Sequence, residues 1–342
     1  MTKDDIAVRV YRGASVEALH AASVAVVDER GVLTRSFGEP RQSFALRSAT
    51  KPFQALALVA SGAADAFGLD PRELAIACAS HSGTDAHVDV VRRLLTHAGA
   101  GPEALRSGAH LPIGMRLSHE LPSRGEDKDP LRHNCSGKHA GFLLVARQLG
   151  EPLETYLAPD GRVQTLVRDG VAGALELSPA ELATAIDGCS APTFATPLVA
   201  LARGMKNLAT AGAPRPEDAR ALERIRDAML AEPWLVSGDA RLDFELARSF
   251  PNNAVSKTGA EAVIGIGFRE PALGIAVKVH DGGERALAPI VVAVLHELGL
   301  VTRIGDVPLL ARHERPAITN HAKLRTGELV AEVPLRRETE VQ

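Results

Sequence analysis

The segment most informative about architecture runs Arg47-Ser48-Ala49-Thr50-Lys51-Pro52-Phe53-Gln54-Ala55-Leu56, in a chain of 342 residues. Pro52 suits the first turn of a helix, strong helix formers follow it, and Gly62 stands just after the apolar run. The pattern predicts a largely buried helix that starts near Ser48. On that helix Ser48 and Lys51, three residues apart, share one face, so the amine can take the hydroxyl proton.

A Lys that serves as a base at pH 7 has to be neutral, although its pKa in water is about 10.4. Burial or a neighbouring cation lowers that pKa, and the apolar residues after Lys51 favour burial. The alternative interpretation is an ordinary helix N-cap at Ser48 beside a solvated Lys51. The segment alone leaves both interpretations open.

Strand patterns stand at both ends of the chain, with helical patterns between them. Residues 22–27 and 32–37 are predicted to form a β-hairpin, and residues 262–268 and 273–279 are predicted to be strands. We therefore predict an α+β fold with one antiparallel sheet built from both chain ends. Helices are predicted at residues 86–97, 138–149, 163–174, 179–186, 216–231 and 286–298.

No linker rich in Gly, Ser or Pro divides the chain, so residues 1–342 are expected to fold as a single unit. Within it we predict a sheet lobe of residues 1–45 and 250–342 and a mainly helical lobe of residues 46–249. The helical lobe is thus inserted between two pieces of one sheet.

Composition and charge exclude several classes of function. Lys and Arg number 39 against 42 Asp and Glu, with no long block of either sign, so no nucleic-acid partner is expected. No run approaches the roughly 18 apolar residues that span a bilayer, and the first residues lack a signal-peptide pattern. Three cysteines are too few for a disulfide framework. These features predict a cytoplasmic protein with no membrane partner.

Two short loops each place a single Cys among small residues. Cys135 opens a C-x-x-K pattern that ends at Lys138, and Cys189 follows Asp187 by two residues. Two thiols on separate loops of a cytosolic protein are more often a metal or catalytic pair than a disulfide, and one helical turn places Lys138 near the Cys135 thiolate. Two reduced thiols in loops that need glycine are the alternative. Cys78 lies in an apolar run and is predicted to pack in the core.

A second Lys motif, Ser256-Lys257-Thr258-Gly259, stands just before the C-terminal strands. An early S-x-x-K together with a late K-T-G on a strand resembles the signature of class A β-lactamases and penicillin-binding proteins. The chain departs from that signature because it has no clear S-D-N motif. This departure argues against a true β-lactamase activity.

Five sequence blocks together resemble the Rhizobium-type L-asparaginases, also named the asparaginase II family. They occur in the family's order over most of the chain, and Ser190 departs from the glycine expected after the second loop Cys. The blocks are the segment of residues 47–56 quoted above, Ala79-Ser80-His81-Ser82-Gly83, His133-Asn134-Cys135-Ser136-Gly137-Lys138-His139-Ala140-Gly141, Asp187-Gly188-Cys189, and Ser256-Lys257-Thr258-Gly259-Ala260-Glu261.

The resemblance implies a fold like that of the serine β-lactamases and penicillin-binding proteins, a homodimer, and hydrolysis of L-asparagine to L-aspartate and ammonia. It also implies two Ser-Lys pairs, with Ser48 as the nucleophile, and zinc as an auxiliary cofactor. Carried over by position, the pairs are Ser48 with Lys51 and Ser80 with Lys257, the zinc ligands are Cys135, Lys138 and Cys189, and the substrate-orienting residues are Arg47, His139 and Asp187.

Under this asparaginase hypothesis, Asp187 is expected to bind the substrate α-ammonium group and Arg47 its α-carboxylate. Two other functions fit the same motifs. One is an amidase that uses a zinc-bound hydroxide, in which the Ser-Lys pairs serve only as hydrogen-bonding groups. The other is a non-catalytic β-lactam or amino-acid sensor on the same scaffold. The presence of both Ser-Lys pairs and both Cys loops favours the enzyme.

Overall fold

Two antiparallel sheets organise the protein in our computed structural model, which describes residues 5–114, 128–213 and 216–338. Among these residues the larger sheet has nine strands and the smaller has three. The strands are β1 (Ile6–Arg12), β2 (Ser15–Val27), β3 (Leu33–Phe37), β4 (Ser43–Ala45), β5 (Ala183–Ile186), β6 (Pro192–Pro197), β7 (Ala254–Gly259), β8 (Val263–Phe268), β9 (Leu273–Val279), β10 (Ala317–Thr319), β11 (Arg325–Ala331) and β12 (Arg336–Arg337).

The larger sheet joins the two ends of the chain. Its strands run in the order β10-β11-β1-β2-β9-β8-β7, and β3, which also pairs with β2, carries β12. β2 pairs antiparallel with β9 from Ala22↔Val279 to Val27↔Gly274. The predicted hairpin of β2 and β3 and the predicted sheet from both chain ends are therefore confirmed. The smaller sheet has the order β4-β6-β5, so β4 pairs with a strand from the predicted helical lobe.

Helices fill the chain between the two groups of strands. All helices predicted from the sequence are confirmed within two residues at either end, apart from residues 179–186. None of the helices in the described part of the chain is long and apolar enough to cross a membrane. The helices are α1 (Lys51–Gln54), α2 (Leu56–Ala60), α3 (Ala63–Ala66), α4 (Pro71–Ala77), α5 (Asp85–Ala98), α6 (Ser136–Leu149), α7 (Arg162–Leu175), α8 (Leu198–Thr210), α9 (Pro216–Ala231), α10 (Pro233–Val236), α11 (Leu242–Ser249) and α12 (Glu284–Glu297).

The helix prediction for residues 179–186 is wrong. Pro179–Glu181 forms a single 3-10 turn, which Ser178 and Glu181 close as a capping box. The chain then continues as β5, because the backbone of residues 183–186 pairs with β6. This strand leads directly into the turn that carries Asp187 and Cys189.

Helix α8, which no sequence pattern predicted, packs against β8 and β9 at the centre of the larger sheet. Two glycines permit the close approach: a Cβ at Gly274 would lie 1.9 Å from the carbonyl oxygen of Ala202, and one at Gly267 would lie 2.0 Å from that of Met205. Successive side chains of β9 belong to different hydrophobic clusters. Ala276 belongs to the cluster that contains α8, whereas Ile275 and Val277 belong to the cluster that contains α12. Helices therefore cover both faces of the sheet, and β7 is left at its edge.

The segment that carries Ser48 and Lys51 is helical, and it starts near Ser48 as predicted. A 3-10 turn over Arg47–Thr50 leads into α1 and then α2. The turn packs against β7 so closely that a Cβ on Gly259 would lie 2.7 Å from the carbonyl oxygen of Leu46. The two predicted Lys motifs consequently lie side by side.

Candidate active site

A cavity of about 490 Å³ lies beside the K-T-G end of β7. Ser48 from the 3-10 turn and Ser80 from the segment after α4 both line it, together with Thr258. The structure thus brings the two predicted serines to one cavity. Its other lining residues include Ile113, Asn134, Arg241, Gly259, Ala260, Ala262 and Glu284.

Lys51 lies behind two lining residues of this cavity, Ser80 and Asn134, with 1% of its surface exposed. Its Nζ is 2.5 Å from the carbonyl oxygen of Ala79, 3.0 Å from Oγ of Ser80 and 3.2 Å from the carbonyl oxygen of Asn134. None of these three partners is Ser48, with which the resemblance pairs Lys51. Burial lowers the pKa of Lys51 below its usual value, although the neighbouring thiol of Cys135 opposes the change.

Lys257 is fully buried on β7. Its Nζ donates to the carbonyl oxygen of Thr258 at 2.7 Å and lies 3.7 Å from Oδ2 of Asp243. Burial lowers the pKa of Lys257 to about 8, with Asp243 opposing and Lys51 adding to the decrease. At pH 7 Lys257 is therefore mainly an ammonium ion. The partner that the resemblance implied, Ser80, instead contacts Lys51.

The two predicted Cys loops meet next to these lysines. Cys135 precedes α6, Cys189 lies in the turn between β5 and β6, and both are buried. Lys138 Nζ donates to Cys189 Sγ at 3.2 Å. Gly137 allows α6 to approach α4, because a Cβ there would lie 2.2 Å from the carbonyl oxygen of Ile76. The three predicted zinc ligands therefore lie close together. The close packing of α6 against α4 also places Cys135 and Lys138 near the segment that carries Ser80.

The charges of this thiol pair depend on one another. A hydrogen bond from Cys189 lowers the pKa of the Cys135 thiol well below its usual value, and Lys51 and Lys138 act in the same direction. Burial acts to lower the pKa of Lys138, but the two thiols outweigh it and hold that pKa above its usual value. Cys78, by contrast, is core packing as predicted, and burial raises the pKa of its thiol to about 12.

The donor set of two thiols and an amine suits zinc. A nitrogen and a sulfur bound to one tetrahedral zinc ion are separated by roughly 3.5 Å. The 3.2 Å between Lys138 Nζ and Cys189 Sγ is close to that separation. In the described ranges no group of three or more His, Cys, Asp or Glu side chains is arranged to hold a metal ion, so such a site depends on Lys138 as a ligand. Zinc binding by these residues stays a prediction.

Arg47 and Asp187 form an ion pair with each other. Burial acts to raise the pKa of Asp187, but Lys138 and Arg47 outweigh it and hold this pKa below its usual value. Arg47 adopts a φ of +49°, in the left-handed region that favours glycine. Both predicted substrate-orienting charges therefore lie together beside the thiol pair.

His139, the third predicted substrate-orienting residue, is fully buried in α6. Its Nδ1 lies 2.7 Å from the hydroxyl of Tyr156, and that hydroxyl accepts a hydrogen bond from the backbone N–H of Arg106 at 2.8 Å. Burial lowers the pKa of His139 to about 4, so the imidazole is neutral at pH 7. The hydrogen bond between His139 and Tyr156 holds the imidazole in the protein interior, next to the thiol pair.

Several residues of the site carry roles that sequence reasoning missed. Asn134 and Thr258 lie inside quoted motifs, and the structure adds their contacts with Lys51 and Lys257. Asp243 lies in no motif, and no sequence signal marks it. Its position near Lys257 follows only from the packing of α11 against β7.

A K-T-G strand beside an S-x-x-K turn is the structural context required by the signature shared by β-lactamases and penicillin-binding proteins. The sequence itself is more specific. Residues 8–331 match the family model described as L-asparaginase II, and the chain therefore belongs to the L-asparaginase II family. This places it among the asparaginase-like hydrolases. No curated protein matches the chain.

Solved structures similar to this chain share little sequence with it. A protein from Bacteroides dorei DSM 17855 described as a β-lactamase has 11% identity and a TM-score of 0.42, over 86% of this chain and 95% of that chain. A β-lactamase from Mycobacterium bovis has 16% identity and a TM-score of 0.35, over 81% and 94%. A simvastatin synthase mutant from Aspergillus terreus has 11% identity and a TM-score of 0.33, over 75% and 86%.

Proposed function

We propose that the protein hydrolyses the side-chain amide of L-asparagine to L-aspartate and ammonia, with a Ser nucleophile activated by Lys. One observation carries this proposal: Lys51, buried and with a lowered pKa, contacts the hydroxyl of Ser80 in a cavity that Ser48 also lines. Membership of the L-asparaginase II family supports amide hydrolysis as the class of reaction. The cavity volume of about 490 Å³ accommodates a small amino acid.

The surroundings of Lys51 suit a general base. A neutral amine has two hydrogens to donate and one lone pair. In the structure Lys51 Nζ donates to the carbonyl oxygens of Ala79 and Asn134 and to Oγ of Ser80. Once the amine is neutral, the two carbonyl oxygens can keep its two hydrogens, and its lone pair can accept a hydrogen bond from the hydroxyl of Ser80. Lys257, with a pKa of about 8, keeps its proton at pH 7. We assign Lys51 as the base and Lys257 as the acid.

Acylation uses both lysines. Ser48 Oγ attacks the side-chain amide carbon, and its proton passes to Lys51, either directly or through the hydroxyl of Ser80. The C–N bond then breaks as the Lys257 ammonium group gives a proton to the nitrogen, which leaves as ammonia. This half of the cycle ends with an aspartyl ester on Ser48, a protonated Lys51 and a neutral Lys257.

Deacylation restores the starting state. Water attacks the ester carbon and gives a proton to the neutral amine of Lys257. The ester C–O bond breaks as Lys51 returns its proton to Ser48 Oγ, and L-aspartate leaves. Each lysine then has the charge with which it began.

The Arg47–Asp187 ion pair is proposed to bind the amino-acid end of the substrate. An α-amino acid carries an ammonium and a carboxylate on one carbon, so it can insert between the two side chains and give each an opposite charge. His139 is proposed to orient this part of the site from behind, through its hydrogen bond to Tyr156.

We further propose that Cys135, Lys138 and Cys189 hold an auxiliary zinc ion. When bound, zinc supplies Lewis-acid polarisation of a substrate oxygen or simply orders the two loops. The chain contributes two thiols and one amine, all of which must lose their protons to become ligands. A homodimer is the expected assembly, and size-exclusion chromatography with light scattering measures it directly.

Ammonia release from L-asparagine by the purified protein tests the activity, and Ser48→Ala tests the nucleophile. Ser48→Ala is expected to lower kcat by at least about 10³-fold without changing the zinc content. Ser61→Ala is the matched control, because Ser61 caps the end of α2 outside the cavity, and we expect it to leave kcat unchanged.

Three results would redirect the proposal. Near-normal turnover in Ser48→Ala, with loss in Ser80→Ala, would make Ser80 the nucleophile, as its contact with Lys51 permits. Near-normal turnover in both variants, with loss on chelation, would favour the amidase that uses zinc-bound hydroxide. No ammonia release over a millimolar range of L-asparagine would favour the β-lactam or amino-acid sensor.

A further inference from the structure

A buried carboxylate, that of Asp243 on α11, makes four contacts with the K-T-G strand. Its Oδ1 accepts from the hydroxyl of Ser256 at 3.1 Å and from the backbone N–H of Thr258 at 2.9 Å. Its Oδ2 accepts from the hydroxyl of Thr258 at 2.6 Å and lies 3.7 Å from Lys257 Nζ. Asp243 is 3% exposed, so all of this takes place away from solvent.

The position of β7 explains why a carboxylate is placed there. β7 ends the larger sheet, and beyond β8 it has no further strand among the described residues. Alternate N–H groups of such an edge strand have no strand partner and need another acceptor. Asp243 accepts the hydrogen bond from the backbone N–H of Thr258. Because Thr258 lines the cavity, this hydrogen bond also fixes part of the cavity wall.

The charge of Asp243 matters because of what surrounds Lys257. The side chains of Lys51 and Arg241 and the thiols of Cys78 and Cys135 also interact with it. Burial, Arg241 and, when it is protonated, Lys51 favour the neutral amine of Lys257, whereas Asp243 is the nearby carboxylate that favours the ammonium form. Replacing this carboxylate with a neutral group therefore shifts Lys257 toward the uncharged amine.

We propose that Asp243 is a positioning residue that holds the Lys257–Gly259 end of β7 at the cavity and keeps Lys257 protonated as the acid for the leaving ammonia. This inference rests on the proposed function. It differs from a purely structural role in one respect: removing the charge while keeping the shape changes the pH at which Lys257 titrates.

The test compares Asp243→Asn with wild type and with Ser256→Ala, in kcat/KM for ammonia release between pH 5.5 and 10. Asp243→Asn is expected to lower the pKa of the alkaline limb by about one unit, and so to lower kcat/KM about fivefold at pH 8 and only slightly at pH 6. Ser256→Ala removes one hydrogen bond to the Asp243 carboxylate but keeps the charge of that carboxylate. This variant should therefore leave the pKa of the alkaline limb unchanged.

A ¹⁵N NMR titration of Lys257 Nζ, assigned with a Lys257→Arg variant, separates this inference from the proposed function. If wild type releases no ammonia from L-asparagine, the proposed function fails, and the titration midpoint still tests the effect of Asp243. An unchanged midpoint in Asp243→Asn, or an equal loss of kcat/KM at every pH, would overturn the inference. Should Asp243→Asn not fold, Asp243→Ser makes the same test with a smaller uncharged side chain.

Discussion

Three lysines are buried in this one site, but their surroundings fall into two kinds. On the serine side, Lys51 contacts carbonyl oxygens and a hydroxyl. Lys257 donates to a carbonyl oxygen and has the Asp243 carboxylate 3.7 Å away, and burial still lowers the pKa of both lysines. On the thiol side, Lys138 donates to Cys189 and interacts electrostatically with both Cys189 and Cys135, and its pKa is raised. All three side chains are almost fully removed from solvent.

The comparison shows that the groups around a buried lysine, and not burial by itself, decide the direction in which its pKa shifts. A carbonyl oxygen accepts a hydrogen bond from a neutral amine as well as from an ammonium ion, so burial prevails there. A thiolate carries a negative charge and stabilises the ammonium form. The serine side is thus suited to proton transfer, and the thiol side to holding a cation.

Replacing the base, Lys51, should have the largest effect on the activity of the serine side. Lys51→Met keeps the length and apolar stem of the side chain but has no basic amine to take a proton from Ser48 or Ser80, so kcat is expected to fall by about 10³-fold. Lys206→Met is the matched control, because Lys206 is also buried but lies on α8, outside the cavity. Similar losses in both variants would show that the effect comes from burying Met in place of Lys.

The pH dependence of wild type should show the acid on the serine side. Lys257 is protonated below its pKa of about 8 and loses its proton as the pH rises through that value. We expect kcat/KM for ammonia release to decline above pH 8 by about tenfold per pH unit. A rate that stays constant up to pH 10 would exclude Lys257 as the acid.

The same lysine gives a stability prediction with a definite sign. Its pKa is about 8 in the folded protein and about 10.4 in the unfolded chain, so between these values the unfolded state binds more protons. The contribution of Lys257 to the free energy of unfolding should therefore rise with pH in this window. Chemical denaturation of wild type and Lys257→Met at pH 7 and pH 10 measures the difference.

On the thiol side the expected effects are smaller. Cys135→Ser should abolish zinc binding, measured by elemental analysis, and lower kcat by about tenfold, because an auxiliary metal orders the loops while the Ser nucleophile is retained. Cys78→Ala should retain the zinc of the wild type, since Cys78 packs in the core. A loss in Cys135→Ser as large as that in Lys51→Met would contradict an auxiliary role.

The smallest effect concerns the turn that holds Cys189. Ser190 has a φ of +69°, and its N–H donates to the carbonyl oxygen of Asp187 in a tight turn between β5 and β6. Ser190→Gly should raise the free energy of unfolding by about 1 kcal/mol, because glycine adopts this conformation without strain. Ser178→Gly, at a φ of −78°, should instead lower stability, and urea denaturation compares the two.

The sequence was sufficient for elements whose pattern is local. Helix α9 has its predicted bounds, since its amphipathic spacing is complete within one segment. The strand β5 was mistaken for a helix because its partner, β6, decides its conformation. Helix α8 went unnoticed because it is buried and follows a proline without an N-cap hydrogen bond.

The functional site shows the same difference between features set by local sequence and features set by tertiary packing. Motifs brought Ser48, Ser80 and the thiols into one hypothesis, because each motif is contiguous. The contact of Lys51 with Ser80 joins residues 29 positions apart, and that of Asp243 with Lys257 depends on how α11 packs. Such pairings follow from tertiary packing, which a motif does not encode.

The central pairing of β2 with β9 also has a consequence for how the protein reaches its structure. Val27 pairs with Gly274, so the middle of the larger sheet forms only after nearly the whole intervening chain has been made. Folding dominated by such distant contacts is slow, because a long loop must close before any strand pairing compensates for its entropy. During synthesis β2 can pair with its sequence neighbours β1 and β3, but the edge of residues 22–27 that pairs with β9 stays unpaired until β9 has been made.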